Sequence, residues 1–259
     1  MKEITTIALV ILALYLIASA FLYLYQRKML YFPVPVDPAF VAEEISLDNQ
    51  GVVLHGWVLN PGRKKGLIYF GGNSETITHN SDWFETVFSD YSIYLFNYRG
   101  YGKSQGKPTE AGLFSDALAI YDSLITQHES LMAYGRSLGS GPAVYLASER
   151  QLEKLILLTP YDSVAEVAQK LYPIFAVRQL IKDRFDSVSV ADRIRIPVLV
   201  LTAQNDKVIP LSHSLALKQS LRNAEVHYFM IEDAAHNDIT GFPQFQNAVS
   251  GFLQEAGKN

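Results

Sequence analysis

The chain has 259 residues, with 22 Lys and Arg against 26 Asp and Glu, six His, no Cys, a formal charge of −4 and 49% hydrophobic side chains. So much apolar surface excludes a disordered chain, and the missing cysteine excludes disulfides, thiolate metal sites and a cysteine nucleophile. A mildly acidic balance with no basic run offers nothing to a string of phosphates, so nucleic acid is not an expected partner.

The first element is the uncharged run Ile4–Tyr25. Its 22 residues make a helix of about 33 Å, enough to span a hydrocarbon core of about 30 Å. Lys2 precedes it, Arg27 and Lys28 follow it, and Tyr23, Tyr25, Tyr31 and Phe32 supply the rings of an interfacial belt. A cleavable signal peptide is the competing reading, with Ala18-Ser19-Ala20 as its cleavage site. Two features favour an uncleaved anchor over residues 1–28: the apolar run continues through Phe21–Tyr25, and Glu3 stands beside Lys2. The expected address is a single-pass membrane protein in contact with the lipid bilayer. Positive charge nearly balances across the run, which leaves its orientation open.

After the anchor, Tyr31-Phe32-Pro33-Val34-Pro35-Val36-Asp37-Pro38 reads as a stiff, extended connector. Residues 29–259 then have the size of one α/β domain, with no repeat or linker dividing them. Strand patterns fall at Gly51–Leu59, Leu67–Phe70, Ile93–Asn97, Leu131–Tyr134, Leu155–Leu158, Val198–Thr202 and Val226–Ile231. Helical patterns lie between and after them, at Asp82–Phe88, Glu110–Gln127, Leu138–Glu149, Leu211–Leu221 and Phe242–Glu255. Strands alternating with helices predict a mainly parallel sheet covered on both faces, with the chemistry in loops beyond the carboxyl ends of its strands.

One such loop carries Gly135-Arg136-Ser137-Leu138-Gly139, a G-x-S-x-G pattern with a strand running into it and a helix leaving it. In a nucleophile elbow of this kind the glycines let strand and helix pass closely while a sharp turn exposes the serine hydroxyl. A serine needs a base, and the base needs a group to orient it. Asp206 follows the strand Val198–Thr202 and His236 follows Val226–Ile231, which gives the chain order Ser137, Asp206, His236. Asp233 and Asp162 are alternative carboxylates, while His55, His79, His128, His213 and His227 occupy strand, helix or surface positions. For a developing oxyanion, the backbone N–H of Leu138 is one expected donor and that of Asn73, in Gly71-Gly72-Asn73-Ser74 directly after the predicted strand Leu67–Phe70, is the other.

Taken together, Tyr69–Asn73, Asn97–Ser104, Gly135–Gly139, Thr159–Ser163, Asn205–Pro210 and Ala235–Asp238 resemble the α/β-hydrolase superfamily. The likeness is closer to its membrane-anchored Bem46-like branch, which includes the ABHD-type serine hydrolases, and it covers nearly the whole chain. In one departure the branch has His-Gly-Asn after its third strand, whereas this chain has Gly71 in the place of that His. The resemblance implies an α/β-hydrolase fold and a serine hydrolase, expected to act on carboxylic esters or thioesters; the membrane address, rather than the resemblance, suggests acyl amphiphiles as the substrates. A serine peptidase on the same fold and a non-catalytic scaffold are the alternatives.

Only about forty residues separate the strands at Leu158 and Val198, so the cap, near residues 160–195, is expected to be minimal. Within it Leu171, Tyr172, Ile174, Phe175 and Val177 are candidates to line an acyl groove facing the membrane. Phosphate-loop, dinucleotide and metal-ligand patterns are absent from the sequence, and no cofactor is expected.

Overall fold

The computed structural model describes residues 1–255. Helix α1 (Lys2–Leu30) contains no buried residue and is long and apolar enough to cross a membrane. Beyond it the chain forms strands β1 (Glu43–Asn49), β2 (Val52–Leu59), β3 (Lys65–Phe70), β4 (Tyr91–Phe96), β5 (Ser130–Arg136), β6 (Leu155–Leu158), β7 (Val198–Ala203) and β8 (Val226–Ile231). Between and after the strands run α2 (Ser81–Val87), α3 (Glu110–Leu124), α4 (Ser140–Glu149), α5 (Val164–Leu171), α6 (Val177–Leu180), α7 (Leu211–Ser220) and α8 (Pro243–Gln254).

The eight strands make one sheet in the order β1-β2-β4-β3-β5-β6-β7-β8. The pairs β1–β2 and β2–β4 are antiparallel, and every pair from β4 to β8 is parallel. The expected alternation is therefore present, with one strand added. The residues of β1, Glu-Glu-Ile-Ser-Leu-Asp-Asn, carry only two apolar side chains because an edge strand buries one face. β1 reaches β2 through Gln50 and Gly51, both at positive φ, the two-residue turn whose twist matches a hairpin.

The central strands β4 and β7 are buried throughout, as continuous apolar runs require when helices cover both faces. On one face Leu113, Ala117 and Ile120 of α3, Val144 of α4 and Leu217 of α7 pack in one cluster. On the other, Phe84 of α2 and Phe245, Val249 and Phe252 of α8 pack with Trp57 and Leu199. Each of the buried aromatic or branched side chains contributes about 1.5–3 kcal/mol by leaving water. Helix α3 begins where expected, with the Thr109 hydroxyl accepting the Gly112 N–H at 3.0 Å. This frame brings the carboxyl ends of β3, β5, β7 and β8 to one edge of the molecule.

Candidate active site

At the end of β5 the chain turns sharply. Ser137 sits at φ +49°, a left-handed conformation that a non-glycine residue adopts at a cost, and it opens a single 3-10 turn, Ser137–Gly139, leading into α4. The flanking glycines are required by contact. A Cβ on Gly135 would lie 2.6 Å from the Gly139 carbonyl oxygen, and one on Gly139 would run into the carbonyl oxygen of Phe70. Tyr161 holds the turn by donating to the Leu138 carbonyl at 2.9 Å, and Ser140 donates to the Ser137 carbonyl at 2.7 Å.

His236 Nε2 lies 2.9 Å from Ser137 Oγ, and His236 Nδ1 lies 2.7 Å from Asp206 Oδ2. The side chains of His236 and Asp206 are 8% and 3% exposed. The other carboxylate oxygen, Asp206 Oδ1, accepts the backbone N–H groups of Val208 at 2.8 Å and Ile209 at 2.7 Å. The two loops are tied together, since Gln204 donates its N–H to the Ile231 carbonyl and Asn205 donates to that of Ala234. The two alternative carboxylates lie elsewhere. Asp162 meets His213 Nδ1 at 2.9 Å, and Asp233 is exposed, with its N–H given to Gln204.

Asn73 and Leu138 share a cavity with Ser137. The Asn73 side chain is committed elsewhere: it donates to the Leu30 carbonyl at 2.6 Å and accepts from the Phe32 N–H at 3.0 Å and the Tyr101 hydroxyl at 2.9 Å. The loop bearing it is braced by a residue that the sequence did not single out. Glu75 accepts the Gly72 N–H at 2.5 Å and the Tyr69 hydroxyl at 2.6 Å, and it faces the Arg136 guanidinium at 3.1 Å. Burial pulls the Arg136 charge down, but Glu75 and the neighbouring phenols outweigh it and leave the guanidinium above its ordinary value. Burial and the Glu75 charge push the Tyr69 phenol well up. At Gly71, an added Cβ would lie 2.7 Å from the Ile77 side chain.

The cavity measures about 330 Å³, within the range of small-molecule pockets. Of the five cap residues expected to line a groove, Leu171, Tyr172, Phe175 and Val177 do so, while Ile174 points away and is 73% exposed. Arg99, in the loop after β4, is a structural residue: it pairs in bidentate fashion with Asp116 at 2.6 and 2.7 Å.

No protein-family model matches the chain. An esterase from Pyrococcus furiosus superposes with a TM-score of 0.70 at 17% identity, covering 87% of this chain and 98% of its own. That likeness establishes the α/β-hydrolase fold. In sequence the chain is 30% identical to an uncharacterised protein of Mycobacterium tuberculosis over 233 residues, 84% of this chain and 83% of that one. It is also 30% identical over 206 residues to the human α/β-hydrolase domain-containing protein 17B, covering 76% of this chain and 68% of the relative. The chain belongs to the α/β-hydrolase superfamily, in its Bem46-like, ABHD-type branch.

Proposed function

We propose that the protein is a membrane-anchored serine hydrolase that cleaves carboxylic esters or thioesters of acyl amphiphiles. The observation that carries this reading is the continuous hydrogen-bonded chain from Ser137 through His236 to Asp206 at 2.9 and 2.7 Å, opening on an apolar cavity. In the proposed course His236 Nε2 takes the Ser137 proton as Oγ attacks the acyl carbon. The N–H groups of Leu138 and Asn73 hold the oxyanion. The carbon–oxygen or carbon–sulfur bond then breaks, the leaving group takes the proton from His236, and an acyl-serine remains. Water loses a proton to His236 and attacks this ester, and Ser137 recovers its proton as the carboxylic acid departs. Asp206 keeps the imidazole in the tautomer that presents a free Nε2 to serine.

The uncharged run of α1 supports the anchor, and the mainly apolar lining of the cavity supports an acyl group over a polar peptide side chain. Treating the full chain with a fluorophosphonate and weighing the intact protein tests the mechanism. Wild type should gain one adduct, Ser137→Ala none, and His236→Ala should label far more slowly. No adduct on folded wild type would overturn the reading.

A further inference from the structure

Two helices each line the cavity with one stripe of mainly apolar side chains. On α5 the stripe is Val164, Val167, Ala168 and Leu171, and on α1 it is Ser19, Leu22, Tyr23, Gln26, Met29 and Leu30. Each set follows the three-and-four spacing of one helix face. On α1 the face is marked independently, since Ala18, Ser19, Leu22, Gln26 and Leu30 are its half-buried residues while the rest of the helix is exposed. Ser137 and Asn73 lie against the same space.

The helix is held there by specific contacts. Arg27 pairs with buried Asp183 at 2.7 and 3.1 Å, and Asp183 also accepts the Glu110 N–H. Gln26 accepts the Lys182 N–H at 2.6 Å, and the Lys182 ammonium lies 4.2 Å from the Tyr23 ring centre. Further along α1, Tyr15 stacks on Phe175 of the cap at 5.4 Å with the rings 9° from parallel. The cap is thus set beside the uncharged part of the helix. Its apolar side chains there are left in the open: Leu171, which lines the cavity, is 62% exposed.

A cavity with two mainly apolar walls, Ser137 in its lining and exposed apolar groups beside it calls for an apolar occupant. Building on the hydrolase reading above, we infer that α1 is itself one wall of the acyl site, and that the acyl chain enters sideways from the bilayer between α1 and the cap. The helix then selects substrate as well as fixing the address.

The test uses the full chain reconstituted in phosphatidylcholine vesicles and a hexadecyl fluorophosphonate carrying a terminal diazirine. With the head on Ser137, light should cross-link the chain terminus to the α1 segment Ser19–Leu30 or to the facing α5 stripe, with α1 represented in the products. Cross-links confined to segments other than α1 would overturn the inference. An adduct at Ser137 with neither this probe nor a small fluorophosphonate would instead overturn the hydrolase reading, and this inference with it. A second arm compares palmitoyl and butyryl esters of one leaving group. Leu22→Trp should lower the ratio of palmitoyl to butyryl kcat/KM by about tenfold or more. Leu24→Trp, on the opposite, 71% exposed face, should keep the wild-type ratio. An unchanged ratio in a Leu22→Trp protein that still labels counts against α1 as a wall.

Discussion

The two oxygens of Asp206 have separate partners, and the division predicts what an amide would do in its place. Oδ1 is taken by the N–H groups of Val208 and Ile209, so the carbonyl of an asparagine would keep that side and turn its NH2 toward His236. His236 Nδ1 would then have to accept, the proton would move to Nε2, and the ring would no longer offer a base to Ser137. Asp206→Asn is expected to fold as wild type and to lose about 10⁴-fold in kcat, measured on a soluble ester, with thermal unfolding as the control for folding. The residues that meet at this point were readable because each follows the end of a strand, where a parallel sheet places its chemistry. Asp162 and Asp233 remained as rivals because spacing alone does not show which carboxylate reaches the imidazole. Glu75 was not readable at all. Its partners Tyr69, Gly72 and Arg136 come from two strand ends that only the β3–β5 pairing brings together.

At the scale of elements, the elbow is a crossing of backbones. A methyl group at Gly139 would press on the carbonyls of Phe70 and Gly71, both main-chain atoms at the start of the loop that carries Asn73. Neither can rotate away as a side chain would, so the turn and the loop must separate. Gly139→Ala should cost about 1–3 kcal/mol of stability by overpacking. It should also slow fluorophosphonate labelling, because the distortion falls at Ser137. A variant that unfolds like wild type and labels at the wild-type rate would show that the loop yields freely. The five helices expected after the anchor form close to their positions, and α5 and α6 form in addition within the cap; α3 ends at Leu124, earlier than its pattern, where Ile125 closes it. β1 was missed. Its alternation is sparse and charged, and the expected strand begins at Gly51, which belongs with Gln50 to the turn between β1 and β2. The docking of α1 on the cap was likewise unreadable, because the partners of Gln26 and Arg27, Lys182 and Asp183, each lie 156 residues further along the chain.

For the whole molecule, the buried phenols set a limit on the alkaline side. Tyr69, Tyr98, Tyr134 and Tyr161 lie in the core, and burial is the leading cause that pushes all four above the ordinary value of about 10. Folded, they stay protonated; unfolded, they ionise near 10. The stability this protonation contributes is therefore complete below about pH 10 and is lost as pH rises beyond it. Phenolate absorbance from these groups should appear together with the loss of near-ultraviolet circular dichroism. Gradual ionisation within an intact fold would contradict the burial. Alternation alone made the mainly parallel, doubly covered sheet legible; the antiparallel pairing of β1 and β2 at its edge was not.

The attachment of α1 also bears on sidedness. Within the uncharged run the cavity wall comprises Ser19, Leu22 and Tyr23, and Ser19 lies about 9 Å along the helix from Tyr25, where the run ends, short of the roughly 15 Å that reaches the midplane of a bilayer. Arg27 and Asn73 clamp the helix to the domain at its near end. In the membrane-anchored reading, such an enzyme serves the leaflet on its own side and is blind to the same ester in the opposite one. Lipid asymmetry, and the traffic that moves amphiphiles across the bilayer, then governs what it consumes.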